Sequence, residues 1–356
     1  MAIKSDPVLN ELFCSKIKAW NRCKRHYYYT YVRNLEPNNI HTAFYVGSSF
    51  HYGVMKMYQG CSEKEVLEAV KQFQAKYKKT RTMHPDILAD MRVYDAIGQG
   101  MSIGYYRNYN GIVTDIKVIA TEQSFKMHLK GSNFKIPFVG TVDLLYKINN
   151  KKSKQGHSGI WLEDHKTAAS IREDTVSTLP MNMQMSMYPA LVKNVLGLDV
   201  SGMVYSIVKK PDIRLKHTET VSQFTTRIVK EYTTYPEKYF YQEFVEYNPG
   251  TVKRVMQDVM LTARDILSYT EHLETEKETL DPNNWPRNEN ACFPYGPKRE
   301  NRCPFFDFCE HGEKAAGHKL QFFKQREGTE RGKIIEQGKI SKLKEKILSI
   351  AKGELR

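Results

Sequence analysis

The spacing of hydrophobic positions predicts mainly helices in the first part of the chain. Residues 11–34, "ELFCSKIKAWNRCKRHYYYTYVRN", place apolar and aromatic side chains at helical intervals, and the second half of this helix is basic and rich in tyrosine. A second helix is expected near "GSSFHYGVMKMYQG", with a serine as its N-cap and Gly60 at its end. The helical pattern continues over residues 62–112, which predicts an all-helical layer.

Alternating, β-branched segments follow in the middle of the chain. They predict three consecutive strands: "IKVIATEQSFKMHL" at 116–129, "FKIPFVGTVDLLYKI" at 134–148 and "GIWLEDHKT" at 159–167. Beyond them, the pattern predicts a helix over 180–196, a short strand over 202–210 and long helices over 222–278.

The order of these elements predicts one α/β domain over residues 1–312, with a small mixed central sheet flanked by helices and a helical layer inserted before the sheet. We expect the helical layer at 51–112, the sheet at 113–215 and a helical, cysteine-rich end at 216–312. Residues 313–356 are highly charged and contain no proline. They predict a solvated helical tail, and a partly disordered tail that contacts DNA or a partner is the alternative.

Charge and aromatic content favour a nucleic-acid partner. The chain has 54 Lys and Arg against 40 Asp and Glu, a net charge of +14, and 12% of its residues are aromatic. Positive charge attracts a polyanion, and aromatic rings can stack on its bases. A positive charge that only maintains solubility is the alternative.

The same composition predicts a cytoplasmic protein that does not contact a membrane. No run of about 18 apolar residues occurs, and the segment "MAIKSDPVLNELF" lacks the features of a signal peptide. In a reducing compartment, the six cysteines favour metal binding or buried thiols over disulfides.

Acidic residues and a lysine lie where two of the predicted strands should meet. In a strand, Asp164 and Lys166 project to one side, and Glu163 and His165 project to the other. If the two strands form a hairpin, Asp143 joins Asp164 on its face. Two close carboxylates repel unless a cation bridges them, and their oxygens suit Mg²⁺ or Mn²⁺. Together with a lysine that polarises water or holds phosphate, they predict metal-dependent phosphodiester hydrolysis.

The alternative is an exposed cross-strand ion pair without catalytic function. Four neighbouring residues favour a site instead. Gly140 allows close backbone approach, and Glu122 lies on the preceding strand. Gln184 and Tyr188 are four residues apart and share one face of a predicted helix.

In their order, "GSSFH", "GTVD", "EDHK" and "QMSMY" resemble the motifs of the RecB-like branch of the PD-(D/E)XK nuclease superfamily. Those motifs are G-x-x-x-H, G-x-x-D, (D/E)-x-K and Q-x-x-x-Y. The resemblance covers about residues 10–312 and implies a sheet of the restriction-endonuclease-like type. It also implies a DNA nuclease that depends on a divalent metal. By position, the motifs correspond to Gly47, His51, Asp143, Asp164, Lys166, Gln184 and Tyr188.

The resemblance implies a role for each of these side chains. His51, Asp143 and Asp164 would bind the metal, and the main-chain carbonyl of His165 would add a ligand. Lys166 would orient the attacking water. Gln184 and Tyr188 would order the lysine or the phosphate. Strand parity chooses Asp164 over Glu163 as the ligand, although a β-bulge would exchange the two acids.

Three cysteines follow the motifs in "CFPYGPKRENRCPFFDFC", namely Cys292, Cys303 and Cys309. A metal site needs a fourth thiol. Iron-sulfur members of the same branch place one cysteine before the motifs, and the resemblance therefore implies Cys23 and a 4Fe-4S cluster. Zinc accepts the same ligands and remains the alternative. Lys24 stands where family members commonly have proline. Two further cysteines, Cys14 and Cys61, are expected to be small buried hydrophobic residues.

Two glycine-rich segments do not predict a nucleotide site. No strand precedes "GQGMSIG" at 98–104, and "GTERGKI" at 328–334 lacks the Walker A spacing. We therefore expect no nucleotide-driven motor in this chain.

The motifs together favour an exonuclease on single-stranded DNA ends in recombination, repair or DNA processing, similar to the nuclease domain of AddB and the CRISPR-associated RecB-like exonucleases. No separate base-reading module is visible, which disfavours a sequence-specific endonuclease. A helicase or recombination partner is compatible with this function. The alternatives are a non-catalytic DNA-binding scaffold that serves a helicase or integrase, and an iron-sulfur electron carrier.

Overall fold

A computed structural model describes residues 10–38, 42–79, 85–110, 116–131, 135–148, 157–271, 273, 275–294, 302–326 and 333–354. The helices of this part of the chain are α1 (Cys14–Arg22), α2 (Lys24–Tyr27), α3 (Thr42–Tyr58), α4 (Glu63–Lys79), α5 (Pro85–Tyr109), α6 (Glu173–Ser177), α7 (Met183–Leu196), α8 (Val221–Thr234), α9 (Pro236–Tyr239), α10 (Pro249–Glu271), α11 (Glu276–Thr279), α12 (Phe306–Ala315) and α13 (Lys342–Lys352). The strands are β1 (Leu35–Pro37), β2 (Ile116–Lys130), β3 (Lys135–Ile148), β4 (Gly159–Ala168), β5 (Val200–Lys209), β6 (Phe240–Glu246), β7 (Phe323–Gln325) and β8 (Ile335–Glu336).

The central sheet has six strands in the order β6-β5-β4-β3-β2-β8. Strand β4 pairs antiparallel with β3 and parallel with β5, while β6 pairs antiparallel with β5 and β8 pairs parallel with β2. The predicted α/β class and mixed central sheet are therefore confirmed. The three consecutive predicted strands correspond to β2, β3 and β4, whereas β6 and β8 were not predicted.

Contact density divides the chain into two compact units. The first comprises Met1–Asn39, Met127–Gly140 and Lys253–Glu330, and the second comprises Ile40–Lys126, Thr141–Val252 and Arg331–Arg356.

Aromatic side chains form the core of the first unit. The Trp20 ring lies edge-on to the rings of Tyr27 and Tyr269, with centroids 5.0 and 5.5 Å apart, and Tyr28 lies 5.5 Å from Trp285. Each such pair adds about 0.5–1.5 kcal/mol beyond the area that it buries. These contacts join the N-terminal helices to residues some 250 positions later in the same unit.

The core of the second unit packs helices against the sheet. Phe50 of α3, Tyr105 of α5 and Phe224 of α8 join Leu144 of β3 and Val204 of β5 in one buried apolar cluster. Burying an apolar side chain of this kind contributes roughly 1.5–3 kcal/mol. The cluster holds α3 and α5 against the sheet beside the strands that carry the predicted site.

Glycines allow α5 to approach α8 closely. A Cβ atom at Gly100 would lie 2.6 Å from Ile228, and one at Gly104 would lie 2.6 Å from Tyr232. The segment "GQGMSIG" is thus helical and serves packing between helices.

The helix predicted over 11–34 is interrupted at Cys23. This residue has extended backbone angles, φ −167° and ψ 118°, and separates α1 from α2. A five-residue π-helical segment, Tyr28–Val32, follows α2. The apolar periodicity continues through the break, so it does not reveal the change of backbone conformation.

The helix predicted near "GSSFHYGVMKMYQG" begins earlier than expected. Helix α3 starts at Thr42, and the Ser49 hydroxyl donates to the carbonyl of Tyr45 within the helix instead of capping it. Its predicted end is confirmed, because Gly60 follows with a left-handed φ of +86° that glycine adopts without strain.

Residues after 312 form more than a helical tail. Strand β7 pairs with β1, and β8 adds to the central sheet beside β2. Ser341 caps α13, which buries Ile347 and Ala351. The apolar positions in β7 and β8 are too few to produce a periodic pattern, and only pairing with distant strands stabilises them. Across the part of the chain described here, no helix has the length and apolar character that crossing a membrane requires.

Candidate functional site

The two predicted acids, Asp143 and Asp164, lie next to the last paired residues of β3 and β4. The described ladder runs from Ile148 opposite Gly159 to Leu144 opposite Glu163. Continued by one position, this register places Asp143 opposite Asp164. Because directly opposed residues share a face of the sheet, the two carboxylates are brought to one side, as the hairpin predicted.

Helix α3 brings His51 to this pair. A Cβ atom at Gly47 would lie 3.1 Å from Thr167 Oγ1, so glycine permits a close approach of α3 to β4 one turn before the histidine. His51 Nδ1 lies 3.3 Å from Asp143 Oδ2. Gly47 therefore allows α3 to lie close to β4, and His51 contacts Asp143.

Glu122 belongs to the same cluster, although the motifs did not assign it a role. Its Oε1 atom lies 3.9 Å from His51 Nδ1, and ligand atoms of His51, Glu122 and Asp143 all lie within 4.8 Å of one another. Glu122 has a left-handed φ of +46° within β2. Such a conformation costs a residue other than glycine about 1–3 kcal/mol and is concentrated at functional sites. In the sequence, the only indication of a role for Glu122 was its position as an acidic residue on the strand before the one that carries Asp143.

Asp164 is held by two partners. Lys166 Nζ lies 2.6 Å from Asp164 Oδ2, and Gln184 Nε2 donates to Asp164 Oδ1 at 2.6 Å. Gln184 is near the start of α7, where the Asn182 side chain accepts from its main-chain N–H. Tyr188 is buried one turn later on the same helix. The Lys166 side chain remains 40% exposed, whereas Asp164 is buried.

His165 approaches Asp143 with its main chain. Its N–H donates to Asp143 Oδ2 at 2.8 Å. Its imidazole is buried on the other face of β4, where Nε2 lies 3.2 Å from Glu163 Oε1. Glu163 is thus turned away from Asp164, as the alternation along a strand predicts.

The local charges give the two aspartates opposite pKa shifts. Burial raises the pKa of Asp164, and the neighbouring Asp143 charge adds to this, while Lys166 opposes it. Burial also acts to raise the pKa of Asp143, but His51 and His165 hold it well below its ordinary value.

The cations of the site are stabilised by these acids. Burial acts to lower the pKa of His51, yet Asp143 and Glu122 outweigh it and raise the pKa to about 10. In the same way, Glu163 and Asp143 outweigh burial and raise the pKa of His165 to about 9. The pKa of Lys166 is raised by Asp164 and Asp143 against the effect of burial. A metal that binds His51 must displace its proton.

This donor set suits a small divalent cation. Carboxylate oxygens are the preferred ligands of Mg²⁺ and also suit Mn²⁺, and one imidazole nitrogen is compatible with Mn²⁺.

The family model of the PD-(D/E)XK nuclease superfamily matches residues 12–310 of the chain. The chain belongs to the PD-(D/E)XK nuclease superfamily. Members of this superfamily use divalent metals, which agrees with the clustered ligands. A search of the curated proteins gave no match to the chain.

Four cysteines of this PD-(D/E)XK protein lie near one another in the first unit. The N–H of Asn288 lies 3.4 Å from Cys23 Sγ, and the carbonyl of Asn288 lies 3.8 Å from Cys292 Sγ. The N–H of Cys303 donates to the carbonyl of Cys292 at 2.7 Å. Burial raises the pKa of Cys309, and the nearby Cys23 and Cys292 contribute to this shift. The structure therefore brings together all four predicted cysteines.

Burial raises the pKa of the Cys303 thiol to about 11. His26 Nδ1 lies 3.6 Å from Cys303 Sγ, and burial followed by the charge of Arg22 lowers the pKa of this histidine to about 4. A neutral imidazole is thus beside the sulfur. The two remaining cysteines differ in environment, because Cys14 is buried as expected while Cys61 is only half-buried.

A second group of potential ligands on α12 consists of Asp307, Glu310 and His311. Asp307 already forms ion pairs with Lys319 and Arg302. This more exposed group of the nuclease therefore differs from the half-buried cluster around Asp143.

Proposed function

We propose that this chain is a divalent-metal-dependent deoxyribonuclease that digests single-stranded DNA from free ends. One observation carries the proposal. Asp143 and Asp164 lie on one side of the sheet at the end of the β3–β4 ladder, where Lys166 pairs with Asp164. His51 and Glu122 lie beside Asp143. Membership of the superfamily supports DNA as the substrate.

In this proposal His51, Asp143, Asp164 and the carbonyl of His165 hold Mg²⁺ or Mn²⁺, and Glu122 is an additional ligand. A bound divalent ion supplies neutralisation of phosphate charge and activation of water. Lys166, whose side chain is partly exposed beside Asp164, orients the attacking water or the scissile phosphate. Gln184 fixes the Asp164 carboxylate by its hydrogen bond. Tyr188, one turn later on α7, orders the lysine or the phosphate.

We further propose that Cys23, Cys292, Cys303 and Cys309 hold a 4Fe-4S cluster that links the two ends of the first unit. The residues fit this group because the four cysteines lie near one another in the same unit. Zinc accepts the same four thiolates and is the alternative.

The RecB-like branch, a role in recombination or repair, a helicase partner and a cytoplasmic location belong to the same proposal. The net charge of +14 supports contact with DNA. The proximity of the four cysteines supports comparison with the iron-sulfur members of that branch. A non-catalytic scaffold is the second candidate. The Lys166–Asp164 pair and the clustered ligands favour catalysis over it.

The deciding experiment is a cleavage assay on anaerobically purified protein. Single- and double-stranded DNA, labelled at either end, and circular single-stranded DNA are incubated with and without Mn²⁺. An exonuclease degrades the linear strands and leaves the circle intact. Cleavage of the circle would show that the protein is an endonuclease and not an exonuclease. Binding of DNA without any cleavage would support the non-catalytic scaffold.

Removal of the metal should abolish this activity. We expect EDTA to lower the rate of cleavage at least about a thousandfold, because several kcal/mol of charge stabilisation is lost. Mn²⁺ or Mg²⁺ added in excess should restore the rate. Cleavage that persists in EDTA would contradict a metal-dependent mechanism.

Replacing Glu122 by glutamine should weaken Mn²⁺ binding about tenfold, because one anionic ligand is lost while the side-chain volume is kept. Calorimetric titration of the folded protein with Mn²⁺ measures this change. Glu246→Gln is the control, since Glu246 is exposed at the end of β6. An Mn²⁺ affinity of Glu122→Gln equal to that of the control would remove Glu122 from the ligand set.

A further inference from the structure

Two buried ionisable side chains lie on the face of β4 opposite to Asp164 and Lys166. Glu163 is 3% exposed and His165 is 1% exposed. Burying such groups costs several kcal/mol, and well-packed apolar residues in their place are often equally stable or more stable. Core stability alone therefore does not explain why a carboxylate and an imidazole occupy these positions.

A hydrogen-bonded network fixes both side chains. Gln242 Nε2 donates to Glu163 Oε1 at 3.0 Å, and His165 Nε2 lies 3.2 Å from the same oxygen. The Tyr105 hydroxyl lies 3.0 Å from His165 Nε2, and the Tyr58 hydroxyl lies 3.1 Å from that of Tyr105. His165 Nε2 is therefore within hydrogen-bonding distance of both Glu163 Oε1 and the Tyr105 hydroxyl.

The network extends to the proposed metal site through His165. The Nδ1 atom of its ring lies 3.8 Å from Asp143 Oδ2, and its main-chain N–H donates to that oxygen at 2.8 Å. Glu163 thus contacts the Nε2 side of the imidazole, and the Nδ1 side faces Asp143. Two groups of one residue face a single oxygen of the central ligand.

We propose that Glu163 and His165 are positioning residues for the Asp143 carboxylate. They hold its Oδ2 atom in place before the metal binds, so less reorganisation is needed on binding. Partners that orient a ligand in this way commonly change metal affinity by about 10–100-fold when they are replaced. This inference rests on the proposed metal-dependent function.

The test is Glu163→Gln, which keeps the shape of the side chain and removes its charge. We expect Mn²⁺ affinity to fall about tenfold. We also expect kcat to fall at limiting Mn²⁺ and to recover largely at saturating Mn²⁺, with the KM for DNA within about twofold of the wild type. Free Mn²⁺ is measured by electron paramagnetic resonance, and stability by thermal denaturation.

Tyr45→Phe is the matched control. Tyr45 is buried in the same unit and donates a hydrogen bond to Asp95, away from the network. This variant should lose stability and keep the Mn²⁺ affinity of the wild type. Such a comparison separates positioning from a purely structural contribution.

Each outcome decides the inference. An Mn²⁺ affinity of Glu163→Gln within twofold of the wild type overturns positioning and leaves the proposed function intact. A wild-type protein that binds no Mn²⁺ overturns the proposed function and this inference together. If Glu163→Gln does not fold, Tyr105→Phe replaces it, because it removes only one hydroxyl from the network. An about threefold loss of Mn²⁺ affinity is then expected, and an unchanged affinity overturns positioning.

Discussion

Replacing Asp143 by asparagine should reduce DNA cleavage at least about a thousandfold while the affinity for DNA stays within about threefold. Asp143 is the carboxylate on which His51, Glu122 and the N–H of His165 converge. Asparagine preserves its shape but removes the charge that a divalent cation needs. Initial rates on end-labelled DNA, together with equilibrium binding of the same DNA in EDTA, measure the two effects.

Asp95→Asn is the control for this substitution. Asp95 lies in the same unit and pairs with Lys78 at 2.6 Å, outside the cluster around Asp143. It should retain wild-type cleavage apart from any loss of stability. Cleavage by Asp143→Asn at the rate of this control would exclude Asp143 as a metal ligand and contradict the proposed mechanism.

Replacing Cys303 by serine should eliminate the iron-sulfur cluster. Serine lacks the thiolate that iron requires, and Cys303 is close to the main chain of Cys292. We expect the visible absorbance of the cluster and its iron and acid-labile sulfide to disappear. A cross-link that closes a loop as long as that between Cys23 and Cys292 contributes roughly 3–5 kcal/mol. The thermal midpoint should therefore fall by about 5–10 °C.

Cys61→Ser is the control, because Cys61 is half-buried in the second unit and far in sequence from the four cysteines. It should keep the cluster and the absorbance. If the purified wild-type protein contains one zinc ion and no iron, the four cysteines form a zinc site and the proposed cluster is wrong. A Cys303→Ser variant that retains full iron content would show that Cys303 is not a ligand.

The central part of the fold was predictable because its signals are local. Strands β3 and β4 alternate along their length, and only ten residues join them, which favours a hairpin. Strand alternation then assigns Asp164 and Lys166 to one face and Glu163 to the other. The structure agrees with this assignment.

Short strands and backbone exceptions were not predictable in the same way. Strand β8 has two residues and depends on pairing with β2, about 200 positions earlier. Strand β6 lies between helices and depends on β5 for its partner. The left-handed φ of Glu122 and the extended backbone of Cys23 each interrupt an otherwise regular pattern. Such single-residue departures depend on surrounding contacts, not on local periodicity.

By itself, the sequence determined the α/β class, the β3–β4 hairpin and the faces of β4, because these depend on periodicities of a few residues. The resemblance of four short motifs to those of the superfamily also implied the ligand types. Only the tertiary structure placed Glu122 beside His51 and Asp143, and linked Glu163 through His165 to Asp143. These are contacts between elements that are distant in the chain, and their geometry depends on how helices and strands pack.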